Sequence, residues 1–552
     1  MRRKLSAGRG DSPLDVAIIG AGHNGLVAAA YLAGAGLSVS LFERRGVVGG
    51  AAVTEEFAPG FRNSTASYTV SLLHPKVIRE LNLLQHGLRI VPRPLQNFLP
   101  LPDGNALCAP AAPQALAVQV ARHSTRDAAR LPAWQAFMAE AAELLRTLML
   151  QTPPANLAHW RESWDLLRLG RRLRAVPAAR QRALHELLTR SAGDVLDGWF
   201  ESAALKALYG FDAVVGNYAS PYTPGSAYVL LHHAIGEVNG RRGVWGHAIG
   251  GMGAITQAMA AEARARGALI ETGAGVQRVW IEDGRALGVE LADGRRIRAR
   301  VVAANVNPKL LYLQLVEARH LPAEFVASMQ RYRCGSATFR MNVALSALPR
   351  FDAAPAAAAA GTADDHLRSG IVLAPSLAYM DRAFAEARLQ GYSSAPVIEM
   401  LIPSTIDDSL APPGAHVASL FCQHFAPQLP HERSWESARS DMARLIIDTV
   451  TGYAPNFSAA LIAYSALSPA DLESRFGLIG GDIFHGALGL DQLWAARPVL
   501  GYGDYRCPVR GLYLCGSGAH PGGGVSGLPG HNAAQRILKN WRRETRRMRI
   551  KV

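Results

Sequence analysis

Residues 15–50 read DVAIIGAGHNGLVAAAYLAGAGLSVSLFERRGVVGG. Asp15 to Ile19 is a short apolar run stopped by Gly20, the pattern of a buried strand. Gly20, Gly22 and Gly25 then form G-x-G-x-x-G, and Leu26 to Ala33 continues as a helix of small and apolar residues. Gly34 and Gly36 end that helix, Ser38 to Phe42 reads as a second strand, and Glu43 stands at its tip. Gly20 permits the tight turn, Gly22 lets a pyrophosphate approach the backbone, and Gly25 lets helix and strand pack closely. The helix N-terminus offers free N–H groups and the positive end of a dipole to phosphates. Glu43 follows Gly20 by 23 residues, near the spacing at which an acidic side chain binds ribose hydroxyls. Strand, glycine turn, helix, second strand and acid in this register predict dinucleotide binding.

The chain has 552 residues, room for two or three domains with their own cores. Hydrophobic residues make up 49% and charged residues 18%, with no uninterrupted apolar stretch long enough to span a bilayer. The net charge of +14 is concentrated in three places. Arg2, Arg3, Lys4 and Arg9 give +4; residues 161–182 give +5 from seven arginines against Glu162 and Asp165; residues 541–552 give +5 from five arginines and Lys551 against Glu544. The remainder is neutral. Such clustering suggests contact with an anionic membrane surface, or solvated tails. No nucleic-acid partner is expected. The five cysteines, Cys108, Cys334, Cys422, Cys507 and Cys515, form neither C-x-x-C nor C-x₄-C. This spacing provides no disulfide framework, zinc site or redox dithiol and fits a reducing, cytoplasmic compartment.

Further along, the small polar run Ser64–Tyr68 is either a flavin-side lining or an ordinary loop. Residues 131–210 read as helical; in this span Trp160, Trp164 and Leu167 form an apolar stripe beside Arg161, Arg168, Arg171 and Arg172. Tyr218, Tyr222 and Tyr228 approach a helix that could wall an apolar pocket. His232 and His233 are adjacent, lack a supporting acidic or thiol cluster, and read as structural. Gly250, Gly251 and Gly253 precede a helix, and Asp283-Gly284 and Asp293-Gly294 turn a following β-meander. Gly511 to Cys515 reads as a strand, and residues 516–527 hold six glycines before a helix beginning near Asn532.

Taken together, G-x-G-x-x-G…Glu-Arg…Gly-Gly, the middle Gly-Gly-Met-Gly helix with its meander, and L-Y-L-C-G-S-G-A-H-P-G-G-G-V resemble the FAD-dependent phytoene dehydrogenase-like oxidoreductases. The resemblance spans nearly the whole chain. It implies an α/β fold: a Rossmann-type FAD-binding domain, glutathione reductase/amine oxidase-like, assembled from three segments and interleaved with an α+β substrate domain. The expected division is a disordered basic tail (1–13), FAD-binding segments 14–90, 241–310 and 501–540, substrate-domain segments 91–240 (helical) and 311–500, and a basic tail (541–552). By resemblance, Gly20, Gly22 and Gly25 hold the FAD pyrophosphate, Glu43 the adenosine ribose, and Arg44 lies beside the adenine half. Gly49 and Gly50 approach the pyrophosphate and ribityl chain, and Val276 contacts adenine through its backbone. Gly516, Gly518, Gly523, Gly524 and Val525 border the ribityl chain and isoalloxazine. Ala51 stands where the wider desaturase and amine-oxidase pattern often has Arg, which favours a more specific branch.

One nucleotide fingerprint is complete and no second is visible. Electrons are therefore expected to pass between an apolar, isoprenoid or lipid, substrate and the flavin, then to oxygen or a quinone. No catalytic side chain is assigned; His23 and His520 are the polar groups expected near the flavin. An FAD-dependent isomerase or saturase, and an FAD-stabilised regulatory protein with little turnover, are the alternatives.

Overall fold

The computed structural model describes residues 13–155, 176–353 and 364–551, with Leu167, Gly170, Arg171 and Arg174 between the first two spans. Residues 1–12, Trp160, Trp164, Arg161, Arg168 and Arg172 lie outside the described residues, so the tail and apolar stripe expected there are not described.

Two sheets organise the chain. In the first, five parallel strands lie in the order Leu269–Thr272, Val39–Glu43, Leu14–Ile19, Arg296–Ala304 and Leu512–Leu514. Three distant parts of the sequence therefore build one layer. The strand Arg296–Ala304 is shared: its last residues pair with Leu14–Ile19 and Leu512–Leu514, and its first with the antiparallel strand Arg285–Leu291. Val276–Glu282 completes the meander, and the turns fall at the two Asp-Gly pairs. Val16, Ala17 and Ile18 are fully buried, as a parallel strand covered on both faces requires. The helix His23–Gly34 is buried almost all round. Its run of alanines lets it lie between the helices Met252–Ala265 and Leu528–Lys551. That last helix runs to Lys551, so residues 541–551 of the basic segment continue a helix rather than forming a separate tail.

The second sheet is ordered Leu461–Leu467, Phe339–Leu345, His416–Phe425, Tyr392–Leu401, Gly370–Leu373, Leu95–Pro100 and Ala106–Pro110. Its side chains alternate sharply. Phe339, Met341, Val343, Ile398, Met400, Leu420 and Cys422 face an apolar core shared with the helix Trp435–Thr451. Arg340, Asn342, Glu399, Ser419 and Phe421 take the intervening positions, and four of them reach residues 63–68 through hydrogen bonds or ring contacts. A sheet face carrying two formal charges is thus buried against the segment that follows the first nucleotide unit.

The helical region expected over 131–210 appears as Thr125–Met149, Ala178–Thr189, Ala192–Trp199 and Ala203–Val214. Ser124 caps the first by accepting the Asp127 amide. Trp134, 1% exposed, anchors this layer through edge and tilted contacts with Trp199, Phe200 and Tyr209. Among the described residues no helix is long and apolar enough to cross a membrane.

Candidate functional site: a nucleotide cradle beside an aromatic cavity

The carboxyl ends of the first sheet's parallel strands open onto a cavity. Gly20, Gly22, Glu43, Arg44, Gly50 and Val276 line it, with His23 and Asn305. Gly22 precedes the helix His23–Gly34 without a side-chain cap, and its first turn holds no acidic residue, so the helix end keeps donors for an anion. The space is narrow by construction. A Cβ on Gly22 would come within 2.9 Å of Asn305 Nδ2, and one on Gly50 within 3.2 Å of the Gly22 Cα. Gly25 does not line the cavity; its Cα faces the Gly20 carbonyl, where a Cβ would approach to 2.2 Å. Gly49 donates its amide to the Ala21 carbonyl at 2.9 Å and so ties the Gly49-Gly50 pair to the first turn. Glu43 accepts the amides of Ala21 and Arg45. His23 Nε2 and Asn24 Oδ1 are buried without a hydrogen-bond partner among the described residues. Burial also holds the His23 imidazole down to about 3.

Asn305 escaped the sequence reading. It follows the shared strand directly, donates to the Gly20 carbonyl at 3.3 Å and meets Gly22, Gly25 and Gly516 at once. Its position, just past the last strand residue on the cavity side, was the only available signal.

The second glycine loop descends from Leu512–Leu514. A Cβ at Gly516 would press on Asn305, at Gly518 on Pro308, at Gly523 on Phe484, and at Gly524 on Leu72. Val525 adopts φ +58°, a conformation that a β-branched residue takes only when its surroundings impose it. The fully buried Arg497 braces the loop from behind: Nη2 donates to the carbonyls of Phe484 at 2.7 Å and Ser517 at 2.9 Å. Asn24 donates to Ser517 Oγ at 3.1 Å and joins this loop to the first helix. His520 is turned the other way. Its Nε2–H donates to the Leu148 carbonyl at 3.0 Å, and its ring stands edge-on to Trp494.

Beyond Gly523 and Gly524, Phe484 meets both His232 and His233. His233 stacks on Trp245, and the two border a cavity of about 420 Å³ walled by Trp134, Met138, Leu208, Tyr209 and Leu230. Burial lowers His232 to about 3 and His233 to about 4, so both imidazoles are neutral. Asp212 turns part of its surface to this cavity. Burial, then the neighbouring Glu399 charge, push its carboxyl up to about 7 against the pull of Arg93. From the cavity wall a polar chain runs across the second sheet. Arg93 lies over the Trp245 ring, donates to Glu399 Oε1 at 3.3 Å, and Glu399 Oε2 accepts the Tyr68 hydroxyl at 2.5 Å.

No dithiol is assembled. All five cysteines are free, and burial pushes Cys108 up to about 11 and Cys334 up to about 12, so neither thiol is a ready nucleophile. No group of three metal-ligating side chains occurs among the described residues.

Among the described residues one glycine-built nucleotide cradle is present, at the ends of the first sheet's parallel strands, and with the family match it marks an FAD-dependent oxidoreductase. Residues 25–538 match the model of the flavin containing amine oxidoreductase family, and the chain belongs to that family. It is 42% identical over 549 residues to pyridine nucleotide-disulfide oxidoreductase domain-containing protein 2 of Rattus norvegicus, covering 95% of this chain and 93% of that one. It is 25% identical over 544 residues to a limonene dehydrogenase component from Castellaniella defragrans, covering 95% and 94% of the two chains. Among solved structures, cyclohexylamine oxidase from Brevibacterium oxydans superposes with a TM-score of 0.57 at 17% identity, covering 96% of this chain and all of the other. The amine-oxidase-like fold and the FAD cofactor follow from the family. The cysteines here leave the disulfide chemistry in the rat protein's name without a dithiol.

Proposed function

We propose that this FAD oxidoreductase dehydrogenates an apolar, isoprenoid or lipid, substrate seated in the cavity beside Trp245. The observation that carries the reading is that cavity: about 420 Å³, with Trp134, Tyr209, Trp245, Met138, Leu208 and Leu230 among its lining beside polar groups such as Gln96, Arg146 and Asp212, and linked to the glycine loop by the packed contacts of Phe484 with Gly523 and His233. The 25% identical relative named as a limonene dehydrogenase component lends support, since limonene is a hydrocarbon. In this reading Gly20 and Gly22 admit the FAD pyrophosphate, Glu43 takes the ribose, Arg44 and Val276 flank the adenine, and Gly49 and Gly50 adjoin the ribityl chain. Gly25 keeps helix and strand in contact. The loop containing Gly516, Gly518, Gly523, Gly524 and Val525 backs the flavin ring. Bound FAD supplies the hydride acceptor. Asp212 receives the proton that leaves with the hydride; the neutral His233 holds the cavity shape and excludes water. Oxygen or a quinone then takes the two electrons.

Anaerobic titration of the purified holoenzyme with fractionated lipid extract tests this. Loss of the oxidised-flavin absorbance with one apolar fraction is expected, followed by its return on admitting oxygen or a quinone. Unchanged absorbance with every apolar fraction, and bleaching by polar amines instead, would overturn it. A peripheral contact of the basic segments with anionic membrane is part of the same reading. Pelleting with phosphatidylserine vesicles that disappears at high salt is its expected signature, and no pelleting at low salt removes it.

A further inference from the structure

Arg340 is 1% exposed, yet among the described residues its guanidinium makes a single hydrogen bond, Nη2 to Ser419 Oγ at 2.7 Å. Its Nε and Nη1 are buried without a partner among the described residues. Its Cζ lies 4.5 Å above the Tyr68 ring centroid, which steadies a cation but accepts none of the in-plane N–H groups. Burial lowers its pKa, but a guanidinium keeps its proton in a protein. The nearby carboxylate, Glu399, already takes Arg93 and Tyr68. A charge buried this way is costly unless something pairs with it.

Arg340 lines a separate cavity of about 230 Å³, together with Thr65, Asn342, Ser465, Glu55 and Arg475. The acids there do not serve Arg340. Glu55 is held by Arg45 at 2.6 Å, Arg475 at 2.8 Å and the Thr65 hydroxyl at 2.9 Å. Glu56, exposed at the rim, accepts the Gly60 amide. The cavity thus has the Arg340 guanidinium in its wall with two N–H nitrogens unpaired, and its lining carboxylates, Glu55 and Glu56, bond to other donors. Nε and Nη1 each share an edge of the guanidinium with Nη2, so a carboxylate taken through two hydrogen bonds would pair one of them with the second N–H of Nη2, the first being on Ser419. Tyr68, Glu399 and Arg93 join this guanidinium to Trp245 at the wall of the aromatic cavity.

We propose that Arg340 is the anchor of a carboxylate-binding site, filled by the acid end of an apolar substrate or by a free organic acid. The first source rests on the apolar-substrate reading above; the site itself does not. The probes are decanoate, decanol and acetate, added to the FAD-loaded full chain, with flavin difference absorbance and melting temperature as readouts. Decanoate is expected to raise the melting temperature and perturb the flavin spectrum saturably, whereas decanol at equal concentration does neither. Arg340→Met, similar in volume and uncharged, is expected to keep FAD and melt no lower without ligand, while its apparent Kd for decanoate rises at least tenfold. Arg340→Lys, which keeps the charge but loses the fork, is expected to fall between. Acetate binding as tightly as decanoate assigns the site to a free acid; decanoate at least tenfold tighter assigns it to the apolar one. Equal decanoate responses in wild type, Arg340→Met and Arg340→Lys, or no response to either acid, would overturn the proposal. Binding without flavin bleaching leaves the site standing and counts only against decanoate as the oxidised compound.

Discussion

Glu43 Oε2 accepts the amide of Ala21 at 2.8 Å while its Oε1 accepts that of Arg45 at 3.0 Å. One carboxylate therefore fixes the glycine turn of the first strand and the exit of the second. The nucleotide cradle depends on that pairing before any cofactor arrives.

Glu43→Ala should accordingly do two things. It strands two amides, one of them buried, at a cost of about 2 kcal/mol, and it removes the acceptor proposed for ribose. Thermal denaturation should show the lost stability, and the flavin-to-protein absorbance ratio after gel filtration should drop well below that of wild type. Glu43→Gln keeps one acceptor oxygen and should retain more FAD than Glu43→Ala. Equal flavin content in all three proteins would remove Glu43 from the cofactor's contacts.

The glycines divide by what their missing Cβ avoids. At Gly25 the obstacle is the protein itself, the Gly20 carbonyl at 2.2 Å, so Gly25→Ala should destabilise the apoprotein by about 1–3 kcal/mol. At Gly22 the nearest group is the end of the Asn305 side chain, which can shift, and the remaining space is the cavity. Gly22→Val should thus yield folded but colourless protein. Far-UV circular dichroism together with flavin absorbance separates the two results; a yellow, fully flavinated Gly22→Val protein would contradict the cradle.

The first sheet was legible because its signals are local. Strand, glycine turn, helix and acid fall within residues 15–43, and the two Asp-Gly turns mark the meander. The polar face of the second sheet was not. Tyr68 and Glu399 bond across 331 residues, and Arg93 meets Glu399 across 306, so no window of sequence holds both partners. Arg340 sits in the alternation Phe339–Leu345, where periodicity places it opposite an apolar face without saying that the second face is also buried. His520 was expected near the flavin by its place in the glycine loop. The loop's course turns it toward Leu148 instead, a contact set by a helix 372 residues earlier.

Asp212 carries a pH dependence whose sign is fixed by its environment. Its carboxyl is raised from an ordinary 3.8 to about 7, so the folded chain holds a proton that the unfolded chain has released between those values. Stability from this group is full below about pH 4, falls as pH rises toward 7, and is flat above. Asp212→Asn, which cannot ionise, should flatten that limb, so the variant gains on wild type as pH rises from 4 to 8 in parallel melting curves. Turnover should respond oppositely if Asp212 takes the substrate proton: wild-type kcat should climb through pH 7, and the variant should lose at least tenfold with no such rise. A variant with the wild-type pH–rate profile would leave Asp212 a stability group only.

Trp541 tests whether the basic C-terminal segment is attached to the fold. The Arg300 guanidinium lies 4.1 Å from its ring centroid, and one residue earlier Asn540 donates to the Tyr513 hydroxyl at 2.8 Å. Both contacts clasp the helix Leu528–Lys551 to neighbouring strands of the first sheet, Arg296–Ala304 and Leu512–Leu514. A cation–π pair at a half-buried site contributes about 0.5–1 kcal/mol, and the ring's buried area adds to it. Trp541→Ala should therefore lower stability by about 1–2 kcal/mol. Arg543→Ala, at an exposed position two residues on, should leave the melting temperature unchanged while weakening any salt-sensitive pelleting with phosphatidylserine vesicles. That dissociation of effects would mark Trp541 as the anchor and the exposed Arg542, Arg543 and Arg546 as a charged face. If Trp541→Ala melts with wild type, the helix end is held by other contacts, the Asn540 hydrogen bond among them, and Asn540→Ala should then carry the loss.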